Sequence, residues 1–558
     1  MKRMLKKSMF CKYRNNIDWV YRGGSCVIVD GKTLKGGSVI DADVCIIGGG
    51  VAGIVTAREL LKNVGNIVLI ESGGENYSPE SQELYSPSKP HNSLYPDPSH
   101  TRLRFLGGAS NHWENNTSPF DPIDFEKRNW IKNSGWPISY ETLKPYYPMA
   151  GSYCGVGGDG YETGYWQNKL DLPDITTSST VIGTGIAKAA IPATRFFHVY
   201  GKELVSADNV RIFTNSNVVD VEFNSESKKV DKVFFESAPG VRSEVRARIV
   251  LMCCGGIENA RLLLHFNKKY SNKLGNAGDN VGRYFMDHPM VRGAHFYPHE
   301  TTELPLYEGV KLADKVVIGF LKLSEESLRA NKINNVRMPL IPATNYTVSD
   351  GISSHHIMMD SFRDGEVPDD FGTHLLNFIQ DIDMVGEAIS RKVFDTKIFD
   401  HADEKGAYQI AMMVEQSPHR DNRVTLGDDV DRYGIQKVKI IWEVKEDDKD
   451  RLWKALEIVA QEVGAKGLGR VRLLKERSDR VWGDQMGFGH HHMGTTRMAA
   501  SEVEGVVDSN LKVFGTENFY MSGSSVFPTG GHVPPTLTIV ALSIRLAKLI
   551  SERLEHDQ

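Results

Sequence analysis

The chain has 558 residues, of which 40% are hydrophobic and 25% are charged, a composition typical of a soluble globular protein with two or three domains. Its formal net charge of −5 argues against a general nucleic-acid binder or a protein that binds anionic membranes. No apolar run reaches membrane-spanning length, and the six cysteines show neither metal-binding nor disulfide-framework spacing, so we expect no metal site, reduced thiols and a cytoplasmic location.

The amino-terminal residues, 1–25, are predicted to form a flexible extension. They are basic but lack the apolar segment of a secretory signal. An organelle-targeting peptide is the alternative. We expect the folded chain to begin near Cys26.

Residues 43–71 have the pattern strand, glycine turn, helix, strand and acid. The apolar run Val44–Ile47 predicts a buried parallel strand, and a helix is expected from Val51 to about Leu61, with its first amides facing phosphates. Glu71 ends the second strand, where a carboxylate binds the ribose of FAD or NAD. The turn between strand and helix has the spacing G-x-G-x-x-G of dinucleotide-binding proteins, at Gly48, Gly50 and Gly53.

Later segments predict an α/β fold with two domains. Strands at 210–213, 218–223, 247–253 and 519–522 and helices at 258–266 and 536–554 extend the first motif. Strands at 316–321, 408–414 and 437–442 and a helix at 447–463 are assigned to a second domain. We predict a discontinuous Rossmann-like nucleotide-binding domain over residues 36–120, 200–289 and 487–558, and a substrate-binding domain over residues 121–199 and 290–486.

Three further segments carry recognisable chemistry. Residues 102–113 contain a second glycine turn, Gly107-Gly108, followed by small residues. Residues 490–498 contain three histidines followed by Gly-Thr-Thr-Arg-Met. Residues 523–538 contain further glycines and the start of a helix. With the first motif, and with Asp287-His288-Pro289, they resemble the glucose-methanol-choline (GMC) oxidoreductases, a flavoprotein family. The resemblance is to the pyranose-oxidase-like and fructose- or gluconate-dehydrogenase-like branch, and it is sharp in residues 41–75, 101–147, 247–289 and 487–550.

The resemblance implies an FAD-dependent oxidoreductase whose substrate-binding domain is built on an antiparallel sheet. The expected reaction is hydride transfer from a hydroxyl-bearing carbon of a sugar, glycoside or polyol to flavin N5. Oxygen, a quinone or a separate redox protein remain open as electron acceptor, and the oligomeric state is open. The cofactor-binding residues that it implies are Gly48, Gly50, Val51, Ala52, Gly53, Glu71, Arg104, Gly107, Gly108, Ser110, Asn111, His112, Val218, Ser524, Pro535 and Thr536.

Two histidines are the predicted catalytic residues, His491 and His532. The family motif His-x-x-Gly-Thr selects His491 as the base that takes the hydroxyl proton. A third histidine, His112, matches the position that carries the flavin covalently in pyranose oxidases, which leaves covalent and noncovalent FAD both open.

The family's second catalytic residue, a histidine or asparagine, is replaced here by Pro534, whose side chain neither donates nor accepts a hydrogen bond. Either His532 binds the substrate oxygen, or His491 works alone, or the protein is a redox-silent lyase that keeps FAD. An NAD-dependent Rossmann enzyme that shares only the first motif would leave the later segments unexplained.

Overall fold

Two large β-sheets organise the chain in the computed structural model, which describes residues 28–91, 93–299, 303–363, 365–474 and 486–556. The first sheet has eight strands, the second has ten, and a two-stranded ribbon lies apart. The predicted amino-terminal extension lies outside the described residues. Among those residues, none of the helices is long and apolar enough to cross a membrane.

The strands are β1 Ile28–Asp30, β2 Val39–Ile47, β3 Ile67–Ile70, β4 Asn116–Thr117, β5 Ile182–Ala190, β6 Val210–Thr214, β7 Asn217–Asn224, β8 Lys229–Glu236, β9 Arg242–Met252, β10 Pro289–Pro298, β11 Val310–Lys311, β12 Lys315–Leu323, β13 Val336–Met338, β14 Leu340–Thr344, β15 Lys405–Val414, β16 Arg423–Val430, β17 Gln436–Ile441, β18 Gly469–Leu473, β19 Gly487–Phe488 and β20 Phe519–Met521.

The α-helices are α1 Val51–Leu60, α2 Pro79–Gln82, α3 Pro122–Phe125, α4 Tyr140–Leu143, α5 Tyr147–Tyr153, α6 Thr163–Leu170, α7 Phe196–Ser206, α8 Gly255–Tyr270, α9 Pro305–Glu308, α10 Glu325–Asn331, α11 Asn345–Val348, α12 Asp350–Arg363, α13 Phe371–Gln380, α14 Ile382–Phe394, α15 Glu446–Ala465 and α16 Thr536–His556. Short 3₁₀ turns span Gly31–Thr33, Glu83–Tyr85, Gly108–Asn111, Lys144–Tyr146, Asp400–Asp403 and Ser524–Val526.

The first sheet has the strand order β1-β6-β3-β2-β9-β8-β7, with β20 beside β9. Strands β2, β3, β6, β9 and β20 pair in parallel, as β-α-β connections require. All four residues of β3 are buried, which explains its continuous apolar sequence. The predicted strand–helix–strand motif at residues 44–71 is confirmed.

The second sheet is antiparallel, with the order β18-β10-β15-β13-β12-β5-β4. It has its own hydrophobic core, in which Leu452, Leu456 and Val459 of α15 pack against the strands. The predicted mixed α/β class with an antiparallel second sheet is confirmed. The domain boundaries stay a prediction.

The helices α11 to α14 form a helical segment that the sequence analysis did not predict. A small core of its own includes Ile352, Met384 and Val385. Helix α13 has no buried residue, and Leu376 and Ile379 on it are 53% and 57% exposed. Its apolar residues therefore do not mark a conventional buried face.

Gly53 sets how closely α1 approaches the strand before it. A Cβ at Gly53 would lie 2.0 Å from the carbonyl oxygen of Gly48, so a side chain would push the helix away from the turn. We predict that Gly53→Ala lowers the free energy of unfolding by about 1–3 kcal/mol, measured by urea denaturation. Gly164→Ala is the matched control, since Gly164 is exposed in α6 and a Cβ there meets no atom within 4 Å. Equal stability of the two variants would contradict the close approach.

Candidate active site

A cavity of about 630 Å³ lies where the carboxyl ends of the first sheet's parallel strands face the second sheet. Gly48, Glu71 and Cys253, which follow β2, β3 and β9, form one side of its lining. Met290 and Arg337, from β10 and β13, belong to the other sheet. Ligands of open α/β sheets bind at this edge.

The first glycine turn is shaped to receive a phosphate-bearing group. Gly48 has φ of +105°, and a Cβ there would lie 2.7 Å from the Cys253 carbonyl oxygen. Gly50 lines the cavity, and a Cβ at this position would meet no atom within 4 Å, so the backbone is open to a ligand. Gly50 caps α1 without a side-chain hydrogen bond, which leaves the first amides of this helix free for an anion.

Glu71 lines the same cavity and is held firmly. Its carboxylate accepts hydrogen bonds from the backbone N–H groups of Gly49 and Gly73, each at 2.8 Å. A carboxylate oxygen has two acceptor sites, so these bonds leave capacity for a ribose hydroxyl.

The second glycine turn is braced from within. The Asn111 amide donates to the carbonyl oxygens of Leu106 and Gly108, at 2.9 and 3.1 Å. A Cβ at Gly107 would lie 2.8 Å from that amide. Gly107 and Asn111 therefore hold the shape of the turn, while Gly108 and His112 are on the cavity lining.

Buried cations form part of the lining. Arg104 pairs with Glu258 at 3.1 Å and donates to Asn217 at 3.2 Å. Arg102 stacks 3.7 Å from the centroid of the Tyr85 ring, and neither its Nη1 nor its Nη2 has a partner among the described residues. Burial raises the pKa of Glu258, but the positive charges of Arg261, Arg102 and Arg104 outweigh burial and lower it to about 2.

These features fit a dinucleotide cofactor with a negatively charged pyrophosphate. The open glycine backbone and the uncapped helix start offer N–H donors, and Arg102 offers unpaired donors beside them on the same cavity. At the other end of the chain, Ser524, Pro534, Pro535 and Thr536 bring the start of α16 to the lining. The positive end of that helix dipole favours negative charge.

His491 lies on the cavity lining next to a second histidine. Its Nδ1 is 2.8 Å from Nδ1 of His288, and the two rings are nearly perpendicular, with centroids 5.0 Å apart. Nε2 of His288 lies 2.9 Å from the carbonyl oxygen of Gly531 and 3.2 Å from that of Gly530. Burial lowers the pKa of His288 to about 4 and lowers that of His491 well below the usual value, with like charge from neighbouring histidines and Arg337 adding to the effect on His491.

The buried carboxylate of Asp287 positions both histidines. It accepts hydrogen bonds from the backbone N–H groups of His288 and His491, each at 2.7 Å, and of His490 at 3.1 Å. The Tyr95 hydroxyl adds a fourth bond at 2.7 Å. The segment that carries His491 is thereby tied to the start of β10.

His532, the other predicted catalytic residue, is not on the cavity lining. It is 1% exposed, and its ring nitrogens lie 3.7 Å from Asp121 and 3.5 Å from Asp124. Lys322 also pairs with Asp121, at 2.7 Å. The structure thus places His532 in a buried cluster of polar residues that is separate from the cavity lining.

Most predicted site residues are on this one cavity. Those on its lining are Gly48, Gly50, Val51, Ala52, Glu71, Arg104, Gly108, Ser110, His112, Val218, His491, Ser524, Pro535 and Thr536. Gly53, Gly107, Asn111 and His532 lie behind it.

Sequence reasoning assigned no role to His288, although the Asp-His-Pro triplet was a visible signal. Arg337 had no sequence signal, because a single arginine in a strand is unremarkable.

Comparisons with known proteins agree with this geometry. A GMC oxidoreductase family model matches residues 418–543. The chain is 22% identical to the fructose dehydrogenase large subunit of Gluconobacter japonicus, over 93% of this chain and 99% of that protein. It is 24% identical to 6'''-hydroxyparomomycin C oxidase of Streptomyces lividus, over 92% of each.

A solved structure shares the fold. The crystal structure of pyridoxine 4-oxidase from Mesorbium loti superposes with a TM-score of 0.53 at 17% identity, covering 93% of this chain and 99% of that one. The matched family model, the relatives that align over nearly the whole chain and the shared fold all point the same way. The chain is similar to the GMC oxidoreductases, whose family model matches its carboxyl-terminal residues 418–543.

Proposed function

We propose that the protein oxidises a hydroxyl-bearing carbon of a sugar, glycoside or polyol, with His491 as the general base. The observation that carries the proposal is the imidazole of His491 on the same cavity as both glycine turns and the start of α16. Relatives named as a fructose dehydrogenase and as a hydroxyparomomycin oxidase support a hydroxylated substrate.

The hydrogen bonds of His288 determine which nitrogen of His491 is the base. Carbonyl oxygens only accept, so Nε2 of His288 carries the hydrogen that bonds Gly531. A neutral imidazole has one N–H, so Nδ1 of His288 must accept, and Nδ1 of His491 must donate to it. Nε2 of His491 is then the unprotonated nitrogen, available to take the proton of a substrate hydroxyl.

The lowered pKa of His491 supports this role at neutral pH. Burial, followed by the like charges of His288, His492, His490 and Arg337, lowers the pKa, so the ring is neutral before reaction. A base must be unprotonated to act.

The residues that would hold FAD are those of the two glycine turns, Glu71 and the start of α16. When bound, FAD supplies the hydride acceptor, N5 of its ring system. His112 is exposed on the lining and would carry the flavin if FAD is covalently bound. Acid precipitation separates the two modes of attachment, because yellow colour stays with the polypeptide only when FAD is covalently bound.

A redox-silent, FAD-containing lyase is the second candidate. The observation that favours it is Pro534 on the cavity lining, where a side chain able to bind the substrate oxygen is expected for an oxidoreductase of this family. His532 does not replace that side chain on the lining.

We predict that His491→Ala slows anaerobic flavin reduction by a polyol by about 10²–10⁴-fold, because the hydroxyl proton loses its acceptor. The measurement is the bleaching of flavin absorbance in a stopped-flow instrument, with flavin content checked first. His490→Asn is the matched control: His490 is exposed on the same lining and has a φ of +55°, which asparagine tolerates. An unchanged rate in His491→Ala would remove this residue from the mechanism.

A yellow wild-type protein that no alcohol bleaches would support the lyase.

We predict that His288→Leu lowers kcat/KM by about 10²-fold, because His491 loses the acceptor that fixes its ring. The low-pH limb of the pH–rate profile should also move to lower pH. His288 repels protonated His491 only when it is itself protonated; above its pKa of about 4 it is neutral, and the hydrogen bond that it accepts favours the protonated form of His491. His288→Asn, whose amide both accepts and donates, should retain most of the activity and the position of the limb. Equal losses in both variants with an unmoved limb would mean that His288 is only structural.

A further inference from the structure

Arg337 is a buried cation that forms no ion pair with a carboxylate of the described residues. The side chain is 3% exposed, and its Nη1 donates to Oδ1 of Asn116 at 3.0 Å. Its Nε has no partner, and its Nη2 forms no hydrogen bond, within the part of the chain that the structure describes. The guanidinium also lies 4.6 Å from the centroid of the Phe320 ring, a cation–π distance.

Other buried arginines of this chain form ion pairs with carboxylates. Arg128 forms two hydrogen bonds with Glu415, and Arg104 pairs with Glu258. Burying a charge without such a partner is costly. Burial lowers the pKa of Arg337 to about 10, with the charge of Glu114 opposing that change, so the guanidinium remains charged at neutral pH.

The strand register places Arg337 on the substrate side of the cavity. Arg337 of β13 is opposite Met413 of β15, which is opposite Met290 of β10. All three line the cavity with His491. The second sheet therefore presents a row of Met290, Met413 and Arg337 to a ligand in the cavity beside His491.

We propose that Arg337 binds a carboxylate of the substrate, so that the substrate is an anionic hydroxyl compound of the sugar-acid class. Nη1 is bonded to Asn116 and Nε is fully buried, so Nη2 is the unpaired N–H group that can donate to a carboxylate oxygen in the cavity. The assignment rests on the proposed oxidation of a hydroxyl-bearing carbon at this cavity.

The test uses matched glycosides that differ only in charge, methyl β-D-glucuronide and methyl β-D-glucoside. In anaerobic stopped-flow reduction of the holoenzyme, the glucuronide should be favoured by about 10- to 100-fold in the second-order rate, the usual magnitude of a charge-assisted hydrogen bond. Arg337→Met should remove the preference, so that the glucuronide and the glucoside react at similar rates. Arg337→Lys, which keeps the charge but not the planar fork, should retain part of it.

A binding measurement gives a readout that does not depend on oxidation. Cyclohexanecarboxylate should perturb the flavin spectrum of the wild-type holoenzyme at a concentration about 10- to 100-fold lower than neutral cyclohexanecarboxamide does. Arg337→Met should abolish the difference. Arg292→Met is the matched control, since Arg292 is exposed on β10 of the same sheet and is absent from the cavity lining.

The two readouts separate failure of this inference from failure of the proposed function. Equal binding of carboxylate and carboxamide to the wild-type enzyme would overturn the role of Arg337, even if neutral sugars bleach the flavin. Carboxylate binding that depends on Arg337, in an enzyme that no hydroxyl compound bleaches, would support the anion site and reject the oxidation. If Arg337→Met does not fold, the test is the preference of the wild-type enzyme for the carboxylate over the carboxamide, which Arg337→Lys should reduce.

Discussion

The buried carboxylate of Asp287 is the interaction on which the active-site arrangement depends. It accepts three backbone N–H bonds, from His288, His490 and His491, and one bond from the Tyr95 hydroxyl. Without it, those backbone groups would be buried and unpaired, which is costly for each one. Because it ties segments that are distant in the chain, it brings the ring of His288 within hydrogen-bonding distance of the ring of His491. His491, the proposed base, is therefore positioned by an acid that binds backbone N–H groups rather than by packing alone.

The two sheets contribute different parts of the site. The first sheet supplies the glycine turns and Glu71 at the ends of its parallel strands, where a cofactor's phosphates and ribose bind. The second sheet supplies Met290, Met413 and Arg337 in register across three strands. The segment with His491 follows the edge of the second sheet, since Phe488 and Gly487 of β19 pair with Pro289 and Met290. His491 is thus fixed relative to Met290, Met413 and Arg337, and the cavity between the sheets sets its distance from the glycine turns.

The sequence allowed the local motifs to be predicted, but not the contacts between distant segments. Gly48 and Gly53 are recognisable because backbone geometry restricts those positions to glycine, and Gly50 is recognisable because a ligand approaches its open backbone, all within a few residues of a strand and a helix. The His-x-x-Gly-Thr spacing likewise selected His491, which is on the cavity lining. His532, however, has the same chemistry and a similar position in sequence, and only the fold turns it toward Asp121 and Asp124. The role proposed for Arg337 depends on strand register and on the lack of an ion-pair partner among the described residues, neither of which is encoded locally. Helices α12 to α14 were not predicted, and apolar residues such as Leu376 and Ile379 of α13 do not locate a core, because the structure leaves them 53% and 57% exposed.

The contact between the two histidines has a consequence for the proposed transfer of the substrate's hydroxyl proton to His491. Burial lowers the pKa of His288 to about 4, so at neutral pH that ring stays neutral and accepts the hydrogen of Nδ1 of His491. When Nε2 of His491 takes a proton, its Nδ1–H becomes part of a cation, and the bond to His288 becomes charge-assisted and roughly twice as strong. Burial and the charge of Arg337 make His491 a weak base before reaction, whereas this bond stabilises the protonated ring as it forms. An interaction that is stronger in the transition state than in the ground state is the kind that accelerates a reaction. The histidine pair therefore offers a means of compensating for the side chain that Pro534 lacks, without a second group that touches the substrate.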